Sequence, residues 1–228
     1  MVAEDFAIPL PDALNFEQGA GYSVAYGTSY HGLKQGAALQ PGETVLVLGA
    51  AGGVGYTAVE IAKAMGASVI AAASSDAKLA FAKEAGADMT INYSDASLKD
   101  SVKDLTKGRG VDVVYDPVGG DLAEQALRAT GWHGRYLVVG FASGEIPKIP
   151  LNLALLKEAS IVGVWWGTWA ARHTGEMLQN MRELDDLVQA GSLQPRFSES
   201  FALDDASDES RPRQARMTAA STGNASRA

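Results

Sequence analysis

Thr44-Val45-Leu46-Val47-Leu48-Gly49-Ala50-Ala51-Gly52-Gly53-Val54-Gly55 is the stretch whose reading decides the fold. Its first five residues are β-branched or apolar with no polar alternation, which marks a short strand buried on both faces. Glycines follow at once at 49, 52 and 55, and Val54–Met65 then reads as a helix closed by Gly66. Strand, glycine-rich turn and helix in that order open a βαβ unit.

The alternation continues downstream. Strands are expected over Ser68–Ala73, Met89–Ile91, Val111–Tyr115, Arg135–Val139 and Ser160–Val164. Helices are expected over Ala77–Glu84, Leu98–Thr106, Asp121–Thr130, Leu153–Lys157 and Thr174–Ala190, with Gly86 and Gly191 as C-terminal stops. Six strands joined by helices imply a doubly wound α/β fold, a parallel sheet of order 3-2-1-4-5-6 that takes dinucleotides at the carboxyl ends of its first and fourth strands. Upstream, Asn15 and Gln18 form a capping-box pattern, and a helical region runs to about Leu39 before Pro41-Gly42 stops it. Residues 1–14 read as a linker or the remnant of a preceding domain, and 15–203 as the dinucleotide-binding domain. Residues 204–228 read as an atypical tail: from Ala206 on there is no Val, Ile, Leu, Phe, Tyr or Trp to offset ordering entropy, so disorder is expected.

Composition narrows the function. Of 228 residues 46% are hydrophobic, enough for a sizeable core, and 19 Lys and Arg against 27 Asp and Glu give a net charge of −8. That argues against broad binding to nucleic acid or to an anionic membrane. There is no Cys, hence no disulfide and no thiolate zinc site, and His31, His133 and His173 share no short ligand spacing. Acidic residues stand where a signal peptide would be basic, and no apolar run is long enough for a membrane helix, so a cytoplasmic protein is the expectation.

The turn carries the chemistry. Gly52 lacks a Cβ, so a pyrophosphate can approach the backbone and the exposed amides of a helix N-terminus; Gly55 lets the helix pack against the sheet, and Gly49 and Ala50 form the strand exit. An NAD-selective site carries Asp or Glu about 20 residues further on. Here the second strand ends Ala73-Ser74-Ser75-Asp76-Ala77-Lys78, with small and hydroxyl residues where the acid would stand and a cation one turn later, which favours NADP(H). Asp76 reads as an N-cap or first-turn residue of the next helix, with a ribose ligand as the alternative. Tyr30 and Lys34 formally satisfy a Y-x-x-x-K pattern, but they precede the glycines, the reverse of the short-chain dehydrogenase order, and that reading is rejected.

Tyr26-Gly27-Thr28-Ser29-Tyr30, Pro41 through Gly55, and Asp112-Val113-Val114-Tyr115-Asp116-Pro117-Val118-Gly119-Gly120 together resemble the medium-chain dehydrogenases/reductases, in particular the zinc-independent NADPH:quinone oxidoreductases. The resemblance runs from about Ile8 to Leu203. It implies that Gly52, Gly53 and Val54 meet the pyrophosphate, that Ser74, Lys78 and Tyr93 meet the adenosine phosphate, and that Thr28, Phe141 and Ser143 lie near the nicotinamide. Tyr93 also reads as an ordinary strand-end residue, and Thr28 as a hydroxyl bonded to its own helix. Zinc members carry a ligand Cys six residues before the Tyr-Gly pair; that position is Ala20, so no metal is expected. The resemblance implies hydride transfer from NADPH to a small-molecule quinone or activated alkene without an obligatory nucleophile, so no catalytic residue is named. It implies a homodimer through the edge strand near Ile161–Trp165, with Trp165-Trp166 at the interface or in the acceptor pocket. It also implies a β-rich substrate domain ahead of the matching segment. A chain without that domain is expected to bind cofactor but turn over slowly, the alternative being an inert cofactor-binding or sensor module.

Overall fold

The computed structural model describes residues 7–196. The expected tail 204–228 and the domain limit at 203 lie outside them. The sheet is built around β1 (Thr44–Leu48), whose Val45, Leu46, Val47 and Leu48 have no solvent exposure. Parallel partners flank it on both sides, with Val47 opposite Ala71 of β2 (Ser68–Ala73) and Tyr115 of β4 (Val111–Asp116). Adding β3 (Met89–Asn92), β5 (Thr130–Val138) and β6 (Ser160–Gly163) gives the order β3-β2-β1-β4-β5-β6, as the sequence predicts.

Strand side chains alternate between two cores. Val45, Val47, Val69, Ala71 and Val113 pack under α1 (Phe16–His31), α2 (Gly53–Ala64), α3 (Asp76–Glu84) and α8 (Thr174–Gln189). Leu46, Leu48, Ile70, Ala72 and Val114 pack under α4 (Leu98–Leu105) and α5 (Asp121–Ala129). Each buried aliphatic side chain contributes about 1.5–3 kcal/mol. The crossovers thereby leave all six carboxyl ends free along one rim of the sheet.

Helix α1 begins with the expected capping box: the Asn15 side chain accepts from the Gln18 amide at 2.8 Å, and Gln18 Oε1 accepts from the Asn15 amide at 3.0 Å. It ends sooner than expected. After His31 the chain makes one π-helical turn, Gly32–Gly36, and Ala38 turns left-handed. Both glycines of this turn lie in ordinary packing contact with the sheet side, a Cβ on Gly32 falling 3.4 Å from Val164 and one on Gly36 3.5 Å from Leu137. β5 starts five residues earlier than expected, through a register irregularity opposite Val111. A short helix, α6 (Asn152–Leu155), precedes β6. The sequence reading misses α7 (Trp166–Arg172), which is only two turns long and contains Gly167.

Tyrosines at i, i+4 spacing bind α1 to its neighbours. Tyr22 donates to Asp185 at 2.9 Å and Tyr30 to Glu183 at 2.6 Å, both on α8, while Tyr26 donates to Glu60 of α2. Lys34 pairs with Glu183 and donates to Asn180 at 3.0 Å. Tyr30 and Lys34 are thus consumed in helix packing, which agrees with rejecting the Y-x-x-x-K reading.

Burial pushes the Glu60 carboxyl above its ordinary value of 4.5, against the opposing hydrogen bonds from Tyr26 and the Gln194 amide. Folding therefore strengthens proton binding at Glu60. Its contribution to stability is complete in acid and falls as pH rises from about 4.5 toward neutrality. Glu60→Gln keeps the side chain's size and the acceptor for the Gln194 amide, reverses the bond to Tyr26 so that the amide donates to the phenol, and removes the titration. Thermal unfolding should show the variant gaining on the parent between about pH 4 and pH 7. A difference independent of pH would contradict this assignment.

Candidate cofactor site

The glycine-rich turn leaves β1 at the centre of the carboxyl rim. Gly49 takes the left-handed conformation, φ +56°, and its carbonyl accepts from the Gly52 amide at 2.8 Å. A Cβ on Gly55 would lie 2.2 Å from that same carbonyl oxygen, so no side chain fits there. Gly49 and Gly55 close the turn, whereas a Cβ on Gly53 would meet nothing within 4 Å. Ala50 is fully buried and its amide donates to Ala72 at 3.1 Å. Gly52 is the N-cap of α2 and has no side chain to cap it. The first-turn amides of Gly53, Val54 and Gly55 thus stand at the positive end of the helix dipole without intrahelical partners, with Gly53 exposed, Val54 half-buried and Gly55 buried, and the open side at Gly53 suits an anion.

Beside this turn, Asp116 joins the loop after β4 to β5. Its buried carboxylate accepts from the Val118 amide at 2.7 Å and the Gly119 amide at 2.9 Å, and from the Tyr136 phenol. Burial, together with the Asp116 carboxylate, raises the Tyr136 phenol well above its ordinary value, so it remains a neutral donor. The Asp116 carbonyl accepts from Val139 at 2.9 Å, Pro117 from Ala142 at 3.0 Å and Val118 from Ser143 at 3.0 Å. Phe141 and Ser143 are thereby folded over the Gly119-Gly120 loop. A Cβ on Gly119 would sit 2.8 Å from the Phe141 ring and one on Gly120 2.9 Å from Ser143 Oγ. Val118 closes the crevice on the other side, 2.8 Å from where a Gly49 Cβ would be.

The second strand end brings Ser74, Lys78 and Tyr93 together. Lys78 Nζ donates to Ser74 Oγ at 2.9 Å, the Tyr93 amide donates to Ala73 at 3.1 Å, and Ser94 Oγ to the Ser74 carbonyl at 3.0 Å. Ser75, not Asp76, is the N-cap of α3. Asp76 is the first helical residue and accepts from Asn92 at 3.2 Å. Thr28 is half-buried on α1, next to Ser29. The Ser29 hydroxyl lies 3.0 Å from the Val54 carbonyl, 2.8 Å from Thr57 Oγ1 and 2.9 Å from the Tyr115 hydroxyl, so it pins α1 to the first turn of α2. Sequence reasoning missed Ser29, whose hydroxyl carries no pattern of its own. It also missed Asp116, although an Asp two and three residues ahead of the amides it binds is a recognisable turn signal. The Trp165-Trp166 pair divides: Trp165 is 75% exposed, while Trp166 packs on α1, 2.7 Å from where a Gly27 Cβ would be.

A family profile described as zinc-binding dehydrogenase matches residues 53–184, more than half of the chain. The chain belongs to the medium-chain dehydrogenases/reductases, in the quinone oxidoreductase-like group. A quinone oxidoreductase-like protein 2 homolog of Nematostella vectensis is 41% identical over 211 residues, 89% of this chain and 58% of that protein. The chain thus spans little more than half of that relative's length. The crystal structure of a Pseudomonas syringae quinone oxidoreductase superposes with a TM-score of 0.83 at 33% identity, covering 93% of this chain and 64% of the other. Escherichia coli quinone oxidoreductase complexed with NADPH superposes with a TM-score of 0.80 at 29% identity, covering 96% and 65%. The family profile is named for zinc, yet Ala20 offers no ligand atom. Among the described residues no group of three or more His, Asp or Glu is placed to hold a metal ion.

Tyr136→Phe leaves one oxygen of the buried Asp116 carboxylate without its phenol donor. Urea unfolding should show a loss of about 1–3 kcal/mol. An unchanged midpoint would show that this contact does not hold the loops.

Proposed function

We propose that this chain forms the NADP(H)-binding part of an oxidoreductase that reduces a quinone or an activated alkene. The observation that carries the cofactor assignment is the Lys78–Ser74 contact of 2.9 Å at the end of β2, where an NAD-selective site has a carboxylate. A lysine ammonium and a hydroxyl suit a 2′-phosphate, and Tyr93 borders them. The uncapped amides of Gly53 and Val54, with no side chain on the N-cap Gly52 before them, suit a diphosphate, and Gly49, Ala50 and Gly55 shape the turn that presents them. The naming of Escherichia coli quinone oxidoreductase as a complex with NADPH supports the same reading.

When bound, the reduced nicotinamide supplies the hydride. The chain's own part is to bind and orient. Phe141 and Ser143, held over Gly119-Gly120 by Asp116, border the nicotinamide end at the switch point between β1 and β4, and half-buried Thr28 of α1 is assigned to the same end from the family resemblance. Phe141, 40% exposed, offers an apolar face that excludes water from one side of the crevice. No proton donor of this chain is assigned a catalytic role, and the acceptor is assigned by class from the quinone oxidoreductase names of the relatives.

Two copies are proposed to pair through β6. Among the described residues no strand covers its outer edge, and Ile161 there is 40% exposed, with Trp165 just beyond. Ile161→Lys should shift a dimer to monomer in sedimentation velocity; a monomeric parent protein would refute the pairing.

Cofactor choice is tested by fluorescence titration. Lys78→Glu should weaken NADPH by about ten- to a hundredfold, the worth of one hydrogen bond to a charged group, and leave NADH nearly unchanged. Equal losses for both would show that Lys78 does not touch the 2′-phosphate.

A further inference from the structure

At the opposite rim of the sheet lies a cavity of about 140 Å³, where a single water needs about 10–15 Å³. It opens at the amino ends of β4 and β5, some six residues along β4 from the proposed cofactor crevice, or about 20 Å. Five cationic residues line it: Lys99 and Lys103 from one face of α4, Arg109 from the turn before β4, Arg128 from the end of α5, and Lys157 from the segment before β6. In a chain of net charge −8 this concentration calls for an account.

Structural partners absorb only part of it. Arg128 pairs with Glu124 at 2.7 Å and Lys99 approaches Asp100 at 3.7 Å. Lys157 donates to the Arg128 carbonyl at 2.7 Å and to the Thr130 carbonyl. The C-termini of α4 and α5 each contribute about half a unit of negative charge. Five cations against these two carboxylates and two helix ends leave an excess of about two positive charges. Asp104 does not offset it, since it lines a separate groove with Asp95 between β3 and α4. No ion pair of Lys103 or Arg109 occurs among the described residues. Burial and the adjacent Arg128 already depress Lys157, a second sign that positive charge here is crowded.

We propose that this cavity binds a small phosphorylated anion, a phosphomonoester or diphosphate. The two guanidinium groups match phosphate oxygens in pairs, and Lys99 and Lys103, four residues apart, supply point charges from the facing wall. Occupancy would bridge α4, the Lys107–Gly110 turn and α5, which otherwise meet through the Leu98, Val102 and Leu127 core beneath. A nucleic acid is disfavoured as the occupant by the confined volume and by the protein's overall negative charge.

The test is a titration of the full chain with inorganic phosphate, followed by the backbone amides in two-dimensional NMR, with chloride at matched ionic strength as the reference. Saturable shifts are expected at Gly108 and Gly110, over and above any shifts at Gly53–Gly55 in the glycine-rich turn. The exposed pair Lys103→Gln and Arg109→Gln should weaken the Gly108 and Gly110 response about tenfold or more while leaving any response of the glycine-rich turn intact. The proposal is overturned if chloride reproduces the shifts, if the double variant keeps the parent affinity, or if duplex DNA shifts these amides at concentrations where phosphate does not. Because the two regions are read separately, loss at the glycine-rich turn alone would bear only on the cofactor assignment.

Discussion

One close contact governs this molecule: the carbonyl of Gly49 stands 2.2 Å from where a Cβ of Gly55 would be. Any side chain at that position would drive α2 away from β1 and open the turn between them. With glycine there, the helix starts directly over the strand end, and Gly52, extended at φ −81° and ψ 167°, becomes an N-cap with no side chain. The first-turn amides are consequently left without a side-chain cap. An anion-accepting helix terminus at the centre of the rim is a consequence of tight strand–helix packing, and needs no dedicated binding side chain.

Around that contact the fold spends its buried polar groups on holding neighbours in place. Ser29 ties α1 to the first turn of α2, Asp116 and Tyr136 tie the fourth and fifth strand ends together, and the phenols of α1 reach carboxylates on α2 and α8. These contacts share a chemistry, a neutral hydroxyl donating to a carboxylate or carbonyl, and at Glu183 the half-buried Lys34 adds an ion pair to the Tyr30 hydrogen bond. Charged groups act both within the packing, as in the Arg135–Glu43 pair, and at the periphery, as with Lys78 beside Ser74 and the cationic cavity on the far rim.

What the sequence shows and what it hides follow from the same physics. Val45–Leu48 and Ser68–Ala73 are legible as strands because a central parallel strand is buried on both faces and reads as an unbroken apolar run. The glycines are legible because only their lack of a Cβ permits the turn. Helix α7 escapes because seven residues with two tryptophans and a glycine carry no period. Trp165 and Trp166 are adjacent in sequence but face solvent and α1 respectively, a division that composition does not reveal. The premature end of α1 is equally hidden, since no residue between His31 and Gly36 marks the change from an α-helical to a π-helical turn.

The glycine-rich turn as the seat of a dinucleotide's diphosphate is tested most directly by calorimetric titration of NADPH into the parent protein and Gly52→Val. The extended backbone at Gly52 accepts valine, so circular dichroism and the unfolding midpoint should be retained. The parent should bind and the variant should give no binding heat, because the branched side chain fills the approach to the α2 amides. Binding of NADPH to the folded variant with the parent's affinity would contradict the account.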